Sequence, residues 1–207
     1  MLKVIIHLCA LWPLVWLYTQ AFNDGLGADP VKYVIHFTGI GALNILLITL
    51  CISPIAKYFR QGYLLNVRRL LGLYVFFYAC LHLTNFIVFD LQFDWPLLWG
   101  EIIERPYITV GMAALLLLLA LSVTSPMAIR KRMGANWQKL HNWIYLVVLL
   151  VCTHFIWSVK SDITEPLIYF AMAFVLLWFR KDKAWRFIKF FGKHRKPQNG
   201  IKTTPKS

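Results

Sequence analysis

Residues Leu70–Phe89 read LLGLYVFFYACLHLTNFIVF and contain no Lys, Arg, Asp or Glu. A helix needs about 20 such residues to cross the roughly 30 Å hydrocarbon core of a bilayer. Further long apolar runs occur at Ile40–Ile52, Val110–Val123, Ile144–Trp157 and Leu167–Phe179. The whole chain is 59% hydrophobic, above the roughly 45–50% that is usual for soluble domains. These runs predict a membrane-spanning protein rather than a soluble domain.

From these runs we expect an all-α integral membrane protein folded as a bundle of six transmembrane helices. The predicted spans are 4–20, 33–55, 69–89, 107–124, 138–159 and 166–181. Residues 1–182 are expected to form the membrane domain, and residues 183–207 a basic cytoplasmic tail that contacts membrane lipids. No internal repeat is apparent, and neither a GxGxxG nor a Walker motif is present.

The charged residues alternate between the predicted loops. The loop after span 3 is acidic, whereas the loops after spans 2 and 4 are basic. Because Lys and Arg collect in cytoplasmic loops, both termini are predicted to be cytoplasmic, in a bacterial inner membrane. The same alternation explains the net charge of +13, so this charge does not indicate nucleic-acid binding. The basic residues are Lys57, Arg60, Arg68, Arg69, Arg130, Lys131, Arg132 and Lys139, and the acidic ones are Asp90, Asp94, Glu101 and Glu104.

Two histidines lie in the middle of predicted spans. An imidazole in hydrocarbon is costly, so its usual explanation is functional. His82 follows Arg69 by 13 residues and His154 follows Lys139 by 15, which places both roughly 20 Å from the cytoplasmic face at about 1.5 Å per residue. Two imidazoles on facing helices can supply both axial ligands of haem iron. Without a CxxCH motif, such a haem would be non-covalent. We therefore predict His82 and His154 as the axial pair.

A third histidine, His141, lies 13 residues before His154, about 20 Å nearer the cytoplasm. It cannot share the first haem. The residue of span 3 at its depth is Arg69, which is not a plausible haem ligand. His141 and Arg69 are therefore predicted as a second site, for a further haem iron or a quinone, and the choice stays open.

Two more residues are candidate cofactor contacts. His36 opens span 2 on the periplasmic side, where it would reach a cofactor edge or a quinone. Arg68 lies beside Arg69 at the cytoplasmic start of span 3, where guanidinium groups suit phosphate or propionate.

Eight stretches of the chain, in order, resemble the ferric-reductase-like transmembrane family, whose six-helix bundles hold haem between histidine pairs. The likeness is greatest to its members that serve bacterial methionine sulfoxide repair. The stretches are GLGADPVK (25–32), HFTG (36–39), RRLLGL (68–73), LHLT (81–84), RPYITVG (105–111), WQKLHN (137–142), WSVK (157–160) and PLIY (166–169).

The resemblance implies a membrane b-type cytochrome that binds one haem b, or two, and also FMN. Electrons would come from the quinone pool or from a cytosolic flavin reductase. They would cross the inner membrane to a periplasmic molybdenum-containing reductase that repairs methionine sulfoxide. His82, His141 and His154 carry over as the family's histidines, and the chain would be an electron-transfer subunit without substrate chemistry of its own.

The chain departs from larger members of that family in two respects. Span 3 carries one histidine where two-haem members have two, and the flavin and NADPH domains are absent. The single histidine of span 3 leaves open whether a second haem binds. The absence of the flavin and NADPH domains means that the electron donor would be a separate molecule. The alternative outside this family is a small transporter or a structural membrane protein without a redox cofactor. An autonomous ferric reductase is disfavoured because there is no nucleotide-binding domain.

Overall fold

The computed structural model of the protein describes residues 2–159 and 162–180, and every regular element in that part is helical. Short 3₁₀ and π turns at Gly62–Asn66 and Phe86–Asp90 flank α3. The α-helices are α1 (Leu2–Phe22), α2 (Pro30–Tyr58), α3 (Arg68–Asn85), α4 (Trp95–Glu104), α5 (Pro106–Val123), α6 (Met127–Met133), α7 (Ala135–His141), α8 (Ile144–Ser158) and α9 (Thr164–Trp178).

Five segments of the described chain are long and apolar enough to cross a membrane, which makes this a multi-pass membrane protein. They are Leu2–Phe22, Pro30–Tyr58, Gly62–Asp90, Pro106–Val123 and Ala135–Ser158. The sixth predicted span corresponds to α9, whose 15 residues are fewer than the roughly 20 of a full span. The count of six spans and the cytoplasmic position of both termini therefore stay predictions. The predicted tail, 183–207, lies outside the described residues.

The sequence did not predict α4, which forms within the acidic loop. Pro96 lies between the third and fourth predicted spans, yet it falls in the first turn of α4, where a residue without an N–H costs no helical hydrogen bond. Asp94 precedes it as the N-cap, and its side chain accepts from the backbone N–H of Leu97 at 3.0 Å. The span predicted at 138–159 is likewise divided, because α7 ends at His141 and α8 begins at Ile144.

The core lies where α2, α3, α5 and α8 pack together. α2 lies along α3 and α5 lies along α8, while α9 covers α8 and part of α2. The buried side chains are aliphatic, as expected for a bundle that spans hydrocarbon. The largest cluster contains Leu43, Leu46, Leu47, Leu50, Val75, Leu118, Leu121, Val147, Val148, Cys152, Phe155 and Ala173.

A proline inside α2 is compensated by an arginine from the end of α9. Pro54 has no N–H, so the carbonyl of Leu50 loses its partner within the helix. The Arg180 guanidinium supplies that partner, since its Nη2 donates to Leu50 O at 2.6 Å. Arg180 is only 5% exposed, so this contact joins the two helices inside the protein.

The two helix pairs at the centre of the bundle are related by an internal repeat with a shift of 72 residues, contrary to the expectation of none. Ser53-Pro54-x-Ala56 returns as Ser125-Pro126-x-Ala128, and Cys80-x-His82 returns as Cys152-x-His154. The repeat is hard to see in the sequence because most of its positions are aliphatic, and aliphatic residue types replace one another readily in a hydrophobic core. In the structure, both helix pairs hold their histidine in the same way, since His82 bonds to Ile35 O and His154 bonds to Tyr107 O.

Candidate functional site

The structure brings together two of the predicted site residues, His82 from α3 and His154 from α8. Their ring centroids lie 6.2 Å apart, with the ring planes at 87°. Both side chains project into the space between the two halves of the bundle. The pairing that was predicted from depth along the spans is thus the pairing found in the fold.

Each imidazole is oriented by a backbone carbonyl of the partner helix in its own half. His82 Nδ1 donates to Ile35 O at 2.9 Å, and His154 Nδ1 donates to Tyr107 O at 2.7 Å. Each carbonyl belongs to a residue 47 positions earlier. These bonds select the tautomer that leaves Nε2 as the electron-pair donor, which is how second-shell partners prepare metal-ligating histidines.

A glycine gives each imidazole room to lie against the neighbouring helix. A Cβ on Gly39 would come within 3.0 Å of His82 Nδ1, and one on Gly111 within 2.8 Å of His154 Nδ1. Any other residue would push the ring away from its carbonyl partner. The Gly–His unit of α2–α3 therefore recurs in α5–α8.

The donor set fits two axial ligands of one iron better than a many-ligand metal site. A metal–imidazole bond is about 2 Å long, so two trans imidazoles on one metal place their ring centroids roughly 6 Å apart. The observed separation of 6.2 Å matches that spacing. Within residues 2–159 and 162–180, no three His, Cys, Asp or Glu side chains converge as a metal-binding group.

His141 is held elsewhere, at the end of α7. Its Nε2 and the Thr124 hydroxyl are 3.1 Å apart, and its ring stacks on Trp137 with centroids 3.9 Å apart. The Arg130 guanidinium lies 4.6 Å from the centre of the Trp137 ring. These contacts engage Nε2 and one ring face of His141.

Arg69 and Arg68 also hydrogen-bond within the protein. Arg69 Nε donates to Ser125 Oγ at 3.0 Å, and Arg68 Nη1 donates to Ser53 Oγ at 3.3 Å. The predicted second haem or quinone site at His141 and Arg69, and the predicted cofactor contact at Arg68, therefore stay predictions.

His36 lies beside the histidine pair without facing it. Its ring centroid is 5.9 Å from that of Phe155, the residue after His154. Its Nε2 is 3.6 Å from Glu165 Oε2 at the start of α9.

Taken together, the class that the fold and the site define is a multi-pass helical membrane protein with a matched pair of interior imidazoles. A family model described as "Ferric reductase like transmembrane component" matches residues 38–152. That region contains all of α3 and α5, and it contains α2 and α8 except for residues 30–37 and 153–158. The chain belongs to this family, in its group of MsrQ haem-binding subunits.

The relatives share the name "Protein-methionine-sulfoxide reductase heme-binding subunit MsrQ". The one from Pectobacterium carotovorum is 46% identical over 88% of this chain and 92% of its own length. The one from Pectobacterium atrosepticum is 45% identical over the same shares, and the one from Salmonella arizonae is 47% identical over 89% and 94%. No solved structure matches the chain.

Sequence reasoning did not find the residues that support the two imidazoles. Ile35 and Tyr107 contribute only carbonyl groups, which no side-chain pattern reveals. Gly39 and Gly111 were detectable, because both precede their histidine by the same number of residues. A search for repeats would have found that signal.

Proposed function

We propose that this chain is a membrane b-type cytochrome that carries electrons across the bacterial inner membrane to a periplasmic molybdenum-containing reductase, MsrP. The relatives named as haem-binding subunits of a methionine sulfoxide reductase support this role. MsrP would use the electrons to repair methionine sulfoxide in periplasmic proteins.

The observation that carries the proposal is the matched presentation of His82 and His154. We assign these residues as the axial ligands of one haem b, which supplies reversible one-electron storage when bound. The carbonyls of Ile35 and Tyr107 hold each Nδ1–H, so each Nε2 stays unprotonated and directed away from its supporting helix. The two rings keep their positions during oxidation and reduction because helices of a packed bundle support them.

The acidic segment around α4 is the proposed docking region for the reductase. Tyr107, which orients His154, is near the start of α5, directly after the loop from α4. A partner on this surface therefore approaches the histidine pair from its nearer end. Asp90 and Glu104 are exposed, whereas Glu101 is paired with Arg105 at 2.7 Å. Exposed charges of one sign favour rapid association with a partner of opposite charge.

The donor is proposed to be quinol from the membrane, with a cytosolic flavin reductase as the other candidate. His82 and His154 lie within spans and are reached most directly by a lipid-soluble reductant. A flavin reductase would instead deliver electrons at the basic end, near Arg68 and Arg69. FMN is proposed only for that second route.

The test is the absorption spectrum and haem-to-protein ratio of purified protein and its histidine variants. Wild-type protein should show a b-type spectrum with one haem per chain. His82→Ala and His154→Ala should each remove it, because a single axial imidazole holds haem weakly in a detergent micelle. His141→Ala is the matched control, since His141 is a histidine of the same bundle outside the pair. Colourless wild-type protein, or full haem content in either pair variant, would contradict the assignment.

A further inference from the structure

A groove separate from the histidine pair runs along the membrane-facing side of α2. It lies against α1 and α3 and encloses about 580 Å³, within the range of ligand pockets. Most of its wall is aliphatic or aromatic. Its lining from α2 follows helical spacing and includes Tyr33, His36, Phe37, Ile40, Asn44 and Ile48.

The groove carries one polar side chain at its water-accessible end and another further along α2, where hydrocarbon is expected. His36 lies near the start of α2 and Asn44 two turns further along, and both are exposed. Polar groups that face lipid are costly and usually mark a binding site. The Tyr169 hydroxyl donates to Asn44 Oδ1 at 3.0 Å. That bond engages the amide oxygen of Asn44.

The polar end of the groove lies immediately beside the histidine pair. His36 directly follows Ile35, whose carbonyl accepts from His82 Nδ1 at 2.9 Å. The His36 ring also packs against Phe155, which directly follows His154, with centroids 5.9 Å apart. A molecule that contacts His36 is thus close to the carbonyl that supports His82 and to the residue that follows His154. Electrons would need to travel only a short distance.

The same end of the groove carries a proton acceptor with access to water. Glu165 Oε2 lies 3.6 Å from His36 Nε2, and both side chains are about half exposed (50% for His36 and 51% for Glu165). An imidazole next to a carboxylate is well suited to take up a proton and pass it on. Glu165 lies in the first turn of α9, at the end of that helix where solvent is reached.

We propose that this groove binds an isoprenoid quinol, with its ring at His36 and its isoprenoid tail along the apolar wall between α1 and α2. This rests on the electron-transfer role proposed above. A reductant that arrives through a lipid-facing groove must itself be lipid-soluble. A quinol that gives up its electrons must also lose protons. The groove supplies a proton acceptor at the place where these protons are released.

The overall step converts one quinol to one quinone. Both phenolic O–H bonds break, and the two protons pass by way of His36 and Glu165 to the water at that end of the bundle. The two electrons go one at a time to the centre between His82 and His154. The first is passed to the periplasmic reductase before the second is accepted.

The binding test uses a photoreactive azido-quinone with the haem-loaded protein in nanodiscs. Label is expected on peptides of α1 and α2, and unlabelled decyl-quinol should compete for it. Ile48→Trp narrows the groove, because Ile48 is a groove residue that is 51% exposed. It should abolish the competed label. Leu116→Trp is the matched control, since Leu116 is equally accessible at 60% but lies on α5, away from the groove.

The functional test measures the rate at which decyl-quinol reduces the haem. His36→Leu and Glu165→Gln should each slow this rate by about 10²-fold, the usual contribution of a general base. Reduction by dithionite and the haem content should not change. Label spread evenly over the helices, or wild-type quinol rates in both variants, would overturn the groove assignment. A wild-type protein without haem would instead overturn the proposed function, so the two failures are distinguishable.

Discussion

Arg69 occupies in the first helix pair the position that His141 occupies in the second. The two residues are separated by the same 72 positions as His82 and His154. Where one repeat offers an imidazole, the other offers a guanidinium, which has no acceptor atom for iron. The repeat thus supplies two imidazoles at the end of the bundle with His82 and only one at the other end.

The first prediction follows from this asymmetry and concerns the number of haems. His141→Ala should retain one haem per chain and lose some stability, because the contact with Thr124 and the stacking on Trp137 disappear. The expected loss is about 1–2 kcal/mol, the usual range for a hydrogen bond together with a stacked ring. A pyridine haemochromogen assay and thermal unfolding in detergent measure the two quantities. Two haems in wild-type protein and one in this variant would contradict the prediction.

The second prediction concerns the glycines behind the imidazoles. Gly39→Ala and Gly111→Ala should both weaken haem binding and change the electron paramagnetic resonance of the oxidised iron, since each new Cβ meets a ring nitrogen. The effect should be larger at Gly111, where the approach is 2.8 Å rather than 3.0 Å. Gly72→Ala is the control within α3, because a Cβ there would meet nothing within 4 Å. Equal spectra for all three variants would show that the close approach has no effect on the iron.

The third prediction concerns Pro54 and Arg180. Arg180→Met keeps most of the apolar length of the side chain but leaves Leu50 O without a partner, at a cost of about 1–3 kcal/mol. Pro54→Ala in the same chain restores a backbone N–H that can donate to Leu50 O, so the double variant should recover much of that loss. Unfolding free energies of the four proteins form a double-mutant cycle. Additive effects would mean that the two residues do not share this carbonyl.

The fourth prediction concerns the acidic surface around α4. Asp90→Asn combined with Glu104→Gln should slow electron transfer to the periplasmic reductase at low ionic strength, through a lower association rate. The difference should shrink as salt screens the charges, since the Debye length falls to about 8 Å at physiological ionic strength. Stopped-flow oxidation of the reduced haem by the reductase measures it, with haem content as the check on folding. A difference that persists at high salt would point to a structural effect rather than charge.

The membrane class and the central pair were accessible from the sequence, because long apolar runs and depth along a helix depend only on composition and spacing. The proline of α2 was recognised as a break near the end of a span. Its compensation by Arg180 was not, since that contact joins residues 130 positions apart. α4 was missed because a helix start and a loop share the same Asp and Pro residues. The carbonyls of Ile35 and Tyr107 act through backbone atoms, which leave no trace in residue type.

The 72-residue repeat has a consequence for the origin of the histidine pair. The two halves meet at His82 and His154, whose ring centroids lie 6.2 Å apart. Each half contributes one carbonyl, one glycine and one imidazole. One half by itself could therefore ligate a metal from one side only. A short ancestral chain with two helices and a single histidine would have built the same site as a homodimer. In the present chain the two halves differ at this position, since Arg69 stands in the first half where His141 stands in the second.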